Sequence, residues 1–186
     1  MKRIFLRLSL LSVFLFGSVL AAGPWVSVSD GVAGRDVPVR VSGLLENESL
    51  HLLVVRPDDS KISFDATADN LGIASFFING LHVRQAGEYE LLVRRGESSS
   101  VIPAQFQISP ATVSAYRSSQ VVDIPSLSAD GEQVARIRVV IKDAHGNRIA
   151  KAPLRAFSSR TEDVVIVAPQ TDTNGEAVIK VSSKTP

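Results

Sequence analysis

The sequence predicts an all-β fold, two tandem β-sandwich domains behind an N-terminal export signal. Three observations carry that prediction. Apolar and polar residues alternate in many short runs, the mark of strands with one buried face. Turn-forming residues separate those runs at short, fairly even intervals. No window keeps a helical period beyond a turn or two.

The export signal comes first. Met1-Lys-Arg3 and Arg7 make a basic start, Leu8 to Phe16 is a short apolar stretch, and Val19-Leu-Ala21 supplies small residues before a cleavage point. This is the layout of a signal peptide over 1–22, with an apolar run too short for a spanning helix. Its removal takes away Lys2, Arg3 and Arg7, so the formal charge of +1 drops by these three cations to −2. A chain with that balance has no electrostatic basis for a nucleic-acid role. The sequence contains no cysteine. Disulfides, thiolate metal sites and a lipid-modified cysteine are therefore excluded, and an exported chain must rely on its hydrophobic cores. After the signal no segment reads as a membrane span.

The first domain occupies 23–110, with strands expected near Trp25–Ser29, Asp36–Ser42, Leu50–Arg56, Ile62–Ala66, Ile73–Asn79, Glu88–Arg94 and Val101–Ile108. Val37, Val39 and Val41 face one way while Pro38, Arg40 and Ser42 face the other. Pro38 cannot donate to a ladder, so it belongs at an edge or a bulge. His51–Arg56 and Tyr89–Val93 are more continuously apolar, as strands in the middle of a sandwich are. Phe64, Phe76 or Phe77, Tyr89 and Phe106 are expected to fill the core, and Trp25 to pack at the start of the first strand.

Ser109-Pro-Ala-Thr112 reads as a hinge. The second domain, 111–186, has an irregular entry over Ser118–Ser128 and strands near Val134–Lys142, Leu154–Ser158, Val164–Ala168 and Ala177–Ser182, with Phe157 in its core. Two of its turns, Asp143-Ala-His-Gly146 and Asp172-Thr-Asn-Gly175, share one design. The Asp side chain accepts from backbone N–H groups just downstream, and Gly three residues later supplies a positive φ without steric cost. Ala68-Asp-Asn-Leu-Gly-Ile-Ala74 lines up with Thr171 to Ala177, which points to a common domain type in both halves.

The segments Ala129-Asp-Gly131, Ile137 to Lys142, Asp143 to Asn147, Ala152-Pro-Leu154 with Phe157-Ser-Ser159, and Thr171 to Ala177 together resemble the group 1 bacterial Ig-like domain. That domain is found in the stalks of invasin- and intimin-type surface adhesins. The resemblance covers the last third of the chain; the first domain is Ig-like only in the broad sense. It implies a structural module that carries or spaces other domains. Its last strand is missing after Lys184-Thr-Pro186, so the expectation is either a longer protein with neighbouring Ig-like domains or a strand donated by a partner.

No enzyme constellation stands out. His51, His82 and His145 lack the spacing of metal ligands, no Gly-x-Ser-x-Gly elbow is present, and no Gly-rich loop precedes a helix. Asp30, Asp58, Asp59, Asp69, Asp123, Asp130, Asp143 and Asp172 sit in turns or near the domain junction, where calcium could be held but turn capping accounts for them. Asn47-Glu-Ser49 fits a glycosylation sequon that the bacterial resemblance makes incidental. The expected function is a non-enzymatic spacer of an exported cell-envelope or surface protein, supporting adhesion, with no cofactor, metal or catalytic residue. Two alternatives stand beside it. One is binding of a host-surface or envelope protein or glycan through loops such as Glu46–Ser49 or Ser158–Asp163. The other is an accessory role at the N-terminus of a longer exported enzyme.

Overall fold

The computed structural model describes residues 23–96 and 100–184. The signal peptide expected over 1–22 lies outside them. Twelve strands run in chain order: β1 (Trp25–Val28), β2 (Gly31–Val32), β3 (Val37–Ser42), β4 (Ser49–Val55), β5 (Lys61–Thr67), β6 (Ile73–Ile78), β7 (Gly87–Arg95), β8 (Val101–Ser109), β9 (Ser119–Val122), β10 (Ala135–Val140), β11 (Val164–Val167) and β12 (Glu176–Ser182). A single 3₁₀ turn, Gly80–His82, is the sole helical element among the described residues.

In the first half, a three-stranded sheet, β1-β3-β6, faces a five-stranded sheet, β2-β8-β7-β4-β5. All pairings are antiparallel except β2 with β8, where Gly31 and Val32 run parallel to Ile108 and Ser109. The alternation expected from the sequence decides which residues enter. Val37, Val39 and Val41 are buried, and Leu50, Leu52, Val54, Leu91 and Val93 close on them from the opposite sheet. Seventeen buried residues form this one cluster. Tyr89 is fully buried, stacks on Phe106 at 5.2 Å between ring centroids, and donates its hydroxyl to the Gln85 carbonyl at 2.8 Å. A tyrosine near the start of a strand bonding back to the preceding loop is the tyrosine corner of Ig-like sandwiches. Pro38 sits in a strand with neighbours on both sides, yet β1 pairs only as far as Val28 with Val39. At Pro38 itself β3 is flanked by β6 alone, which is where a missing donor is tolerated.

After Thr112 the strands form one four-stranded sheet, β11-β12-β10-β9. Its inner face buries Val139, Ala177 and Ile179, with Ile137, Leu154, Val165, Val167 and Val181 packed beside them. Here the structure departs from expectation twice. Ser119–Val122, read as irregular, is a strand because it pairs with β10 from Ser119 opposite Val140 to Val122 opposite Ile137. Leu154–Ser158, expected to be a strand, has no ladder partner; the nearest pairing is an isolated bridge between Pro153 and Gln170.

Two aromatic side chains also lie elsewhere than expected: Phe157 is 88 % exposed, not in the second core, and Trp25 is half exposed on β1. Of the pair Phe76 and Phe77, Phe76 packs on the first core and Phe77 is 68 % exposed. Parity explains all three exposed rings. Val26 and Val28 face inward and set Trp25 outward, Ala74, Phe76 and Ile78 do the same to Phe77, and Leu154 and Ala156 turn Phe157 away.

Candidate functional site

The two halves meet at the turn that follows β10. Strand pairing ends near Val140, and Asp143-Ala-His-Gly-Asn147 reverses the chain. Asp143 N–H donates to the Asn147 carbonyl at 2.9 Å, and Gly146 N–H to the Asp143 carbonyl at 3.1 Å. The Asp143 carboxylate oxygen Oδ1 accepts from the N–H groups of His145 (2.9 Å) and Asn147 (2.8 Å). Gly146 takes φ of 91°, the left-handed conformation that closes the turn. Asp69 and Asp172 use Oδ1 in the same way, on Leu71 and Ile73 and on Asn174 and Glu176 respectively. Gly72 and Gly175 complete those turns with φ of 69° and 67°. The turn design expected from the sequence is therefore present three times.

Asp143 alone of the three is fully buried, and its second oxygen is also engaged. Oδ2 accepts from the backbone N–H of Ala111 at 2.8 Å and from Asn147 Nδ2 at 2.7 Å. So held, Asn147 reaches into the first half. Its Oδ1 accepts from Ala86 N–H at 2.9 Å, and its Nδ2 donates to the Arg84 carbonyl at 2.8 Å. On the other side of the turn the His145 imidazole lies against Gly34, where any side chain would collide with its Nε2. One carboxylate and one amide thus tie together the turn, the linker and the loop before β7.

Burial pushes the Asp143 carboxyl up. The hydrogen bonds from the Asn147 side chain and from the Ala111, Asn147 and His145 N–H groups outweigh it and hold the group below the usual carboxylate range. It is an ionised acceptor, and hydrogen bonds to an ionised group are roughly twice as strong as neutral ones.

The segment expected to act as a hinge, Ser109–Thr112, is pinned along its length. Ser109 accepts from Ala33 N–H at 2.9 Å, Ala111 donates to Asp143 and packs on the first core, and Val113 bridges to Asp143. Ser114 N–H then bonds the Lys142 carbonyl at 2.8 Å.

The other residues singled out from the sequence do not converge. His51 bonds Asp65, His82 lies edge-on to Phe64 beside Arg56, and His145 faces Gly34. Asp30 accepts from Gln107 N–H, Asp58 from Ser60, Asp123 from Arg136 N–H and Asp130 from Glu132 and Gln133 N–H. Asp59 itself takes a left-handed φ of 63° in its turn. Among the described residues no group of three or more His, Asp or Glu gathers as an ion site would need. Of the loops considered for binding, Glu46–Ser49 has its carboxylate Glu48 committed: Arg95 donates to it at 2.7 and 2.8 Å, and Leu45 N–H at 2.8 Å. The Arg95 hydrogen bond in particular holds Glu48 below its ordinary pKa. In Ser158–Asp163, the Ser158 hydroxyl donates to Asp163.

What the sequence did not reveal is the far side of the joint. Ala111, Arg84 and Ala86 contribute only backbone groups, which carry no side-chain signal. Asn147 was visible as the close of a turn, but its side-chain partners in the first half lie more than sixty positions away.

Paired sheets with a tyrosine corner and a short parallel strand beside the last strand of the first half define an Ig-like β-sandwich protein. No family model matches the chain, and no curated sequence matches it. Among solved structures, InvD of Yersinia pseudotuberculosis is similar over 86 % of this chain and 49 % of that one, with 14 % identity and a TM-score of 0.60. Invasin, described as a bacterial integrin-binding protein, matches over 88 % of this chain and 34 % of its own, at 19 % identity and TM-score 0.42. The D0–D1 domains of intimin match over 88 % and 85 %, at 14 % identity and TM-score 0.38. This chain thus spans about a third of the invasin chain and half of InvD. The Ig-like sandwich fold of this chain is shared with InvD. No helix among the described residues is long and apolar enough to cross a membrane.

Proposed function

We propose that the chain is a non-enzymatic structural module of an exported bacterial envelope or surface protein, a stiff spacer that supports adhesion by holding neighbouring parts at a set distance. The observation that carries this reading is the Asp143–Asn147 clasp. A spacer transmits position only if its joints resist bending, and here the linker is bonded at Ser109, Ala111 and Ser114 instead of hanging free. Three hydrogen bonds tie side chains of the turn to its surroundings, one to the linker and two to the loop before β7, and these must break before the joint opens. The descriptions of two structural neighbours, an integrin-binding protein and the extending region of a large adhesion protein, agree with this reading.

The absence of cysteine makes the test direct. Leu71→Cys and Phe157→Cys, both at exposed positions in opposite halves, accept a spin-label pair on the full chain. Double electron–electron resonance is expected to give one narrow distance distribution. Adding Asn147→Ala should broaden it without unfolding either half. A broad distribution in the otherwise native chain would refute the stiff-spacer function.

A further inference from the structure

The outward face of the β1-β3-β6 sheet has a composition that burial does not explain. Its middle row is Ser27, Arg40 and Ser75, aligned across the three strands by the register. Trp25 lies beyond that row at one corner, and the cross-strand pair Pro38 and Phe77 lies beyond it at the other. Trp25 and Phe77 are 52 % and 68 % exposed. A solvated sheet face ordinarily carries polar side chains. Here two large rings flank a polar strip, and a shallow groove runs along it between Ser27, Arg40, Ser75 and Phe77.

From these placements we infer that this face is a binding site for an acidic oligosaccharide, one built with uronic or sialic acid units. The chemistry of each position fits that class. A pyranose ring has an apolar face of C–H groups that lies flat against an aromatic ring, while its edge presents hydroxyls. The serines are donors and acceptors for those hydroxyls. Arg40 supplies the planar fork that pairs with a carboxylate in two parallel hydrogen bonds. The charge balance is one-sided: no Asp or Glu occupies an outward position on the three strands, and Arg40 has no ion-pair partner among the described residues. Four residues along the strand and two strand spacings across separate the rings, a span of about 17 Å. A short oligosaccharide bridges that span and a single sugar does not. One cation between serines is too little charge to hold an anionic membrane. A strip of hydroxyls is also too polar for the apolar centre of a protein interface. The inference goes beyond the spacer role and does not depend on the clasp.

Trp25 is the sole tryptophan in the sequence, so its fluorescence reports on this face alone. The full chain titrated with hyaluronan oligosaccharides and with 3′-sialyllactose should give a saturable change in tryptophan emission with at least one of them, and little with neutral cellotetraose. Arg40→Ala should weaken that binding by about tenfold or more, Arg40→Lys by less, and Phe77→Ala substantially. Both side chains are exposed, and an unchanged thermal midpoint checks that folding is preserved. The inference is overturned if no acidic saccharide alters the emission, if cellotetraose binds equally well, or if Arg40→Ala and Phe77→Ala leave affinity unchanged. Emission changes produced only by phosphatidylserine vesicles would likewise overturn it and assign the face to lipid. None of these outcomes alters the spin-label distances that test the spacer role.

Discussion

Asp143 and Asp172 occupy the same turn design, and the difference between them is one oxygen. At Asp172 the hydrogen bonds fall on Oδ1, which an asparagine would retain. At Asp143 both oxygens accept, and an asparagine Nδ2 would face two donors, Ala111 N–H and Asn147 Nδ2–H. Asp143→Asn should therefore destabilise the chain by about 2–3 kcal/mol, since it leaves buried donors unpaired. Asp172→Asn should be nearly silent. Chemical denaturation of the two variants compares them directly. The carboxyl also sets a pH dependence. Its folded-state pKa lies below the unfolded value of about 3.9, so its contribution is complete above that pH and disappears as pH falls through the lower, folded value. Acidification from neutrality should cost the native chain more stability than the Asp143→Asn variant, with the gap between them closing at the acid end. Local chemistry of this kind was legible from sequence because the bonds run two and four residues forward. The role of Oδ2 was not, because Ala111 is 32 residues away and offers only a backbone group.

Strands were legible where alternation (β3, β10, β12) or a nearly continuous apolar run (β4, β7) extended over five or more residues, and illegible where pairing alone makes the strand. Two residues, Gly31 and Val32, show no period, and β9 is exposed along its whole length, so neither announces a buried face. Leu154–Ser158 is the converse, alternation without a neighbour to pair with. The misplaced aromatics carry the more useful lesson. Size argued that Phe157 belongs in a core, while its neighbours Leu154 and Ala156 had already fixed the inward parity. Parity won, because in an extended segment successive side chains point to opposite sides, so Leu154 and Ala156 inward leave Phe157 outward. Phe157→Ser should accordingly change stability by no more than about 0.5 kcal/mol. Phe106→Ala, which removes a ring 3 % exposed and stacked on Tyr89, should cost about 3–5 kcal/mol. Thermal unfolding of both variants distinguishes them, and equal losses would mean that Phe157 is buried in solution.

At the scale of the whole chain the two halves are unequally supported, and the clasp lies between them. Seventeen buried residues form the first core, and three form the second. Local opening follows the apolar surface that holds an element shut, so β10 and β12 should open more readily than β4 and β7. The second half also draws support from outside itself. Asp143 and Asn147 follow β10 directly, and their bonds to Ala111, Arg84 and Ala86 anchor that strand to the better-packed sandwich. Coupling of that kind predicts an asymmetric response. In hydrogen–deuterium exchange, the amides of β10 and β12 should exchange faster than those of β4 and β7. Asn147→Ala should accelerate β10 and β12 further while leaving β4 and β7 at their native rates, because the first core does not depend on the second. If the variant sped exchange equally in all four strands, the halves would form one cooperative unit. The joint would then be part of a single core instead of a clasp between two modules. If it sped none of them, the amide of Asn147 would hold the angle between the halves without stabilising either, and only the spin-label distances would register its loss.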